Sequence, residues 1–235
     1  MPTPSARRLA LAAAASLALA GPAAAQSFMP MGSFEAVAYP VAITPIPLDL
    51  SGSRSARPAA PVRTTYSASP VVTDRVKRQF AEFVGKNGGD GPGLAAAMDR
   101  DDFFARWGRH VAQFGLRRGD VADAMTAYWT LNWQIANDVH KVSRDQVQAV
   151  KRQVLPAMGA DPAFRRLNDA QKQEAAEALI LNFIIQSVAY EDALKAGDTA
   201  MQGRLQQAAV ARFRNEMGVD LRRLRLTEAG FAKAG

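Results

Sequence analysis

Tyr128-Trp129-Thr130-Leu131-Asn132-Trp133 packs two indoles and a phenol around a single amide, within six consecutive residues. Indole and phenol faces stack on sugars or aromatic ligands, while an amide both donates and accepts hydrogen bonds, so such a group suits a small polar binding site. Its spacing reads as helix, from a cap at Asp120 to about Asp138. At about 100° per residue, Val121, Ala124, Met125, Tyr128, Trp129, Leu131, Trp133, Ile135 and Ala136 form a wide apolar arc. Asn132 falls near the middle of that arc. An amide buried there must find partners or cost about 1–3 kcal/mol. Two readings follow. Either Tyr128, Trp129, Asn132 and Trp133 frame a ligand, or Asn132 bonds a carbonyl or a neighbouring helix while the indoles fill the core.

Other chemistry is sparse. The chain has two histidines, His110 and His140. His110 lies at the edge of the Phe103–Trp107–Phe114 face and joins the aromatic group as a candidate binding residue. Neither histidine sits in HExxH or in an i, i+4 pair, so no metal site is expected. Asp99, Asp101 and Asp102 read as acids complementing a helix N-terminus. The glycines from Gly88 to Gly93 lack the Lys-Ser/Thr of a phosphate loop, and no GxSxG or SxxK nucleophile is present. Ser187 and Glu191 fall on the apolar side of a later helix and are the remaining candidates for a buried polar site. No cofactor is expected and no catalytic residue is assigned. Late in the chain Arg204, Arg212, Arg214, Arg222, Arg223 and Arg225 face only Glu216, Asp220 and Glu228. They form a candidate contact for an anionic surface, with a solvated helix face as the plainer alternative.

These residues need elements to hold them, and the periodicity after Val72 predicts about six helices. Thr73 caps the first, carrying Val76, Phe80, Phe83 and Val84, and the Gly88–Gly93 run stops it. Asp101 or Asp102 opens the second, and Asp120 the third. Ser143 with Gln146 makes a capping box for the fourth. Asn168 or Asp169 starts a fifth reaching about Ala196, apolar almost all round except for a strip with Asn182 and Gln186; that is a central, buried helix. Asp198 starts the sixth, stopped by Gly218. Leu221, Leu224, Leu226 and Phe231 are spaced to fold back over the bundle. No strand alternation competes, so the expected fold is all-α: a single compact bundle with a buried central helix.

The N-terminus reads differently. Arg7-Arg8, the apolar run Leu9 to Ala20 and the small residues Ala23-Ala24-Ala25 before Gln26 have the layout of a cleavable secretory signal. Residues 1–25 are therefore expected to be a signal peptide, 26–70 a Pro/Ser/Ala-rich extended or disordered tail, and 71–235 the helical domain. The apolar patch from Tyr39 to Leu48 is a candidate strap along that domain. With no cysteine, the chain has no disulfides, thiolate metal sites or lipoprotein anchor. The whole chain carries 29 Lys+Arg against 22 Asp+Glu, a net +7. Without Arg7 and Arg8 the balance is 27 against 22, or +5. Export, to periplasm or beyond, disfavours nucleic acid and favours an anionic envelope component or another envelope protein.

The run Gly119 to Trp129 (GDVADAMTAYW) and the closing Asp220 to Phe231 (DLRRLRLTEAGF) resemble a family of uncharacterised exported bacterial proteins, over roughly residues 72–231. The resemblance implies an exported helical domain of unknown function, without an activity or a ligand. The functional expectation is thus a non-enzymatic binding module of the envelope or secreted space. The alternative is a hydrolase acting on an envelope polymer through Asn132, a carboxylate and His110.

Overall fold

The computed structural model describes Leu48, Leu50 and residues 61–234. The expected signal peptide and most of the expected tail, including residues 39–47 of the apolar patch, lie outside the described residues. Eight helices follow in order among those described: α1 (Pro70–Lys86), α2 (Gly91–Arg100), α3 (Phe103–Ala112), α4 (Val121–Asn137), α5 (Arg144–Ala160), α6 (Pro162–Arg165), α7 (Asp169–Ala196) and α8 (Thr199–Met217). A 3-10 turn (Leu221–Arg223) leads into an antiparallel hairpin of β1 (Leu224–Thr227) and β2 (Gly230–Lys233). The fold is all-α with this one small sheet.

Local chemistry starts the helices where the sequence places their caps. Asp102, Asp120 and Asp198 each accept a backbone N–H from the first turn of α3, α4 and α8. Ser143 with Gln146, and Asn168 with Gln171, form reciprocal capping boxes at α5 and α7. Four expectations are corrected. α1 begins at Pro70, whose missing N–H costs nothing in a first turn. Thr73 then lies inside the helix and donates its hydroxyl to Glu177 at 2.8 Å. The glycine run ends α1 but also begins α2, because the Asp90 carboxylate accepts the Gly93 N–H and Pro92 pre-sets the backbone. The Asp161-Pro162 pair starts the four-residue α6 in the same way.

The fourth correction is the C-terminus, which forms a hairpin where the spacing suggested only a fold-back tail. Leu224 and Leu226 point inward and Arg225 outward, in the period of a strand. Two strands are marginal alone, and amides on neighbouring helices hold this pair. Gln153 on α5 donates to the Phe231 carbonyl and accepts its N–H, both at 2.8 Å. Gln146 donates to the Leu226 carbonyl, and the Trp133 indole to that of Leu224 at 3.0 Å. Gly230, at φ +108°, sits so close to Gln153 that any Cβ would collide with its side-chain oxygen.

The expected buried central helix is α7, and α4 is a second one beside it. α7 packs against α1, α3, α4 and α8. α4 is buried at every residue from Val121 to Ala136. Several of its polar side chains find partners inside the protein: Thr126 and Thr130 donate to carbonyls one turn back, and Asp123 pairs with Lys151 of α5 while accepting the Arg117 N–H. Among the described residues no helix is long and apolar enough to cross a membrane.

Residues 63–69 do not behave as a free tail. Thr64 and Tyr66 exchange backbone bonds with Val121 and Gly119. Asp169, Gln173 and Glu177, one turn apart along α7, then receive Arg63 and Ser67, Ser69, and Thr73 respectively. Leu48 is buried in the same core. The folded unit therefore reaches upstream of the expected boundary at residue 71.

Candidate functional site

Asn132 is fully buried and bonded at both ends of its amide. Its nitrogen donates to the Tyr128 carbonyl at 2.9 Å, and its oxygen accepts Arg212 Nη1 at 2.8 Å. Arg212 reaches it from α8, half-buried, across 80 positions of sequence. The aromatic side chains around Asn132 are brought together, but the chain's own rings occupy their faces. Phe213 stacks on Tyr128 at 5.7 Å and meets Trp129 edge-on at 4.8 Å. Phe231 from β2 lies 5.8 Å from Trp129 and 5.9 Å from Trp133. The surface that spacing offered for sugars or aromatic ligands is thus packed with phenylalanine.

Burial raises the Tyr128 hydroxyl above its ordinary pKa, despite the nearby Arg212 charge. The hydroxyl faces both Arg212 and Gln186 of α7. Gln186 is 6 % exposed, and neither its nitrogen nor its oxygen makes a hydrogen bond of normal geometry. Asn132, Tyr128, Arg212 and Gln186 therefore form one polar cluster where α4, α7 and α8 meet.

His110 is not part of it. It lines a separate cleft of about 30 Å³, room for one or two waters, together with Phe114, Thr130, Gln134, Phe183 and His140. Both histidines of the chain face this cleft, a juxtaposition that sequence spacing does not contain. The His110 ring packs against Phe114 and Phe183, and burial lowers its pKa from the ordinary 6.5. His140 lies 3.6 Å from Asp138, which also accepts the Tyr190 hydroxyl. Among the described residues, no group of three or more His, Asp or Glu side chains is arranged to hold a metal ion. Ser187 is buried and donates to the Ile184 carbonyl, and Glu191 pairs with Lys195. Asn132 and His110, the two residues named for hydrolysis, thus lie in different parts of the bundle.

A family model described as a family of unknown function, DUF6683, matches residues 4–233. The chain belongs to that family. Nothing matches among the curated proteins or the solved structures. The match spans far more than the expected 72–231, so the N-terminal residues belong to the DUF6683 pattern as well.

In this DUF6683 protein the six candidate arginines have separate fates. Arg212 turns inward to Asn132, Arg204 lies against the Met201 sulfur, and Arg214 pairs with Asp220 at 2.6 Å. Arg222, Arg223 and Arg225 stay exposed, on the 3-10 turn and the outer face of β1. The Arg214 hydrogen bond, the Arg222 N–H and the Arg223 charge all hold the Asp220 carboxyl below its usual range. Three arginines, Arg214, Arg222 and Arg223, therefore act on one acid, and Arg225 follows on β1. The clustering was visible in the sequence; which guanidinium turns inward was not.

Proposed function

We propose that this protein is exported and acts as a binding module rather than a catalyst, meeting an anionic component of the cell envelope through its basic C-terminal edge. The observation that carries the reading is the exposure of Arg222, Arg223 and Arg225 beside an acid, Asp220, that Arg214 already neutralises. Short-range attraction to an anionic surface is worth about 1 kcal/mol per arginine, so the three together supply about a hundredfold in affinity. The signal-like layout before Gln26 supports delivery to such a surface.

The test is co-sedimentation of the chain from Gln26 onward with phosphatidylglycerol-containing and purely phosphatidylcholine vesicles. Binding is expected only to the first, to weaken as salt rises from 50 to 500 mM, and to fall about a hundredfold in the triple variant Arg222→Ser, Arg223→Ser, Arg225→Ser. Equal binding to both vesicles, or an unaffected triple variant, overturns the assignment. N-terminal sequencing of the exported form should read from Gln26; a chain beginning at Met1 would remove the export step.

A further inference from the structure

Resting on that envelope-binding role, we propose that Asp220 is the positioning residue of the basic C-terminal edge. By closing the 3-10 turn from within, this acid presents Arg222, Arg223 and Arg225 together to an anionic lipid surface, and so strengthens binding although its own charge opposes it.

Three arginines on a loose chain lose side-chain and backbone freedom when they meet a surface, which weakens their combined attraction. Here the chain is pinned on both sides of them. Leu221, Leu224 and Leu226 are buried, and Arg222, Arg223 and Arg225 occupy the exposed positions between. The Leu221 carbonyl accepts the Asn137 side-chain N–H at 3.2 Å, and that of Leu224 accepts the Trp133 indole.

Asp220 closes what these anchors leave open. One carboxylate oxygen accepts the Arg222 backbone N–H at 3.0 Å, and the other accepts the Arg214 guanidinium at 2.6 Å. The Asp220 carbonyl accepts the Arg223 N–H at 3.0 Å, and the Leu224 N–H returns to the Leu221 carbonyl. The Arg223 carbonyl in turn accepts the Ala234 N–H at 2.7 Å, tying the turn to the residue after β2. The backbone N–H groups of Arg222, Arg223 and Leu224 are thus all satisfied within the chain. An outside anion meets guanidinium groups here, not backbone.

The opposing effect is electrostatic. One charge near an anionic surface changes affinity about fivefold, so an acid beside the arginines should weaken binding by that factor. The geometry limits this cost at Asp220. Its side chain is only 15 % exposed, and Arg214 shares its charge. Glu228 supplies the contrast: it is exposed in the turn between β1 and β2, with the same charge and no place in the 3-10 turn. Removing either acid raises the net charge by one, but only Asp220 takes a backbone bond with it.

The experiment is co-sedimentation of the chain from Gln26 onward with phosphatidylglycerol-containing vesicles at 50 mM salt. Glu228→Gln should tighten binding about fivefold. Asp220→Ala, with the same charge change, should instead weaken it about fivefold, because the arginines no longer engage together. Asp220→Ser also removes the charge but keeps an oxygen for the Arg222 N–H, and should bind at least as tightly as wild type. The alanine variant should lose no more than about 4 °C of melting temperature, since the leucines anchor the turn independently. A larger loss makes Asp220 a folding residue and overturns the assignment. Tightening by Asp220→Ala to match Glu228→Gln overturns it too, as does a serine variant as weak as the alanine one; either result leaves envelope binding standing. Wild type that does not bind these vesicles overturns the binding role itself, and the positioning role with it.

Discussion

Replacing Asn132 with leucine tests the central polar contact, because leucine matches the amide in size and removes both of its hydrogen bonds. The lost bond to the Tyr128 carbonyl is cheap, since that carbonyl keeps its helical N–H partner. The lost bond to Arg212 is the expensive one. A hydrogen bond to a charged group is worth about 1.5–3 kcal/mol, and half-exposed Arg212 recovers part of that from water, leaving a loss of about 1–2 kcal/mol. For a domain of this size each kcal/mol moves the melting temperature by about 2–4 °C, so a fall of about 2–8 °C is expected. A double-mutant cycle isolates the contact. Urea unfolding of Asn132→Leu, Arg212→Met and the double variant should give a coupling energy of at least about 1 kcal/mol. A coupling within about 0.3 kcal/mol of zero would refute the argument, because Asn132 and Arg212 would then contribute independently.

Three further outcomes are expected. Burial depresses the His110 pKa, so between the ordinary 6.5 and its lower folded value the unfolded chain binds the extra proton. The stability difference between wild type and His110→Gln should therefore be constant above about pH 7.5 and shift against wild type as pH falls below 6.5; a pH-independent difference between pH 8 and 5 would contradict this. Phe231→Ala should cost about 3–4 kcal/mol and expose the hairpin to protease, since this buried ring holds β2 against Trp129 and Trp133. A fragment beginning at residue 71 should be at least about 2 kcal/mol less stable than one beginning at 61, having lost the bonds to Asp169, Gln173, Gly119 and Val121; equal urea midpoints would show that the docked segment is passive.

The sequence by itself determined the helical class, the central position of α7 and most of the helix starts. Those features rest on short-range physics. A capping oxygen three residues from its N–H, or an apolar residue one turn from the next, is written in adjacent letters, as at Asp120, Ser143 with Gln146, and Asn168. Even there, neighbouring signals competed: one glycine run both closes α1 and opens α2. The candidate site was legible only as an anomaly, one amide on an apolar arc. That its partner is Arg212 depends on α8 crossing α4 at one height. That Phe213 and Phe231 cover the aromatic faces depends on where α8 and the hairpin come to rest. The same holds for the two histidines sharing a cleft, and for a segment near residue 65 lying along α7. Such pairings join residues tens of positions apart and are selected by whole-core shape complementarity. No local spacing encodes them, and only the packed tertiary structure decided them.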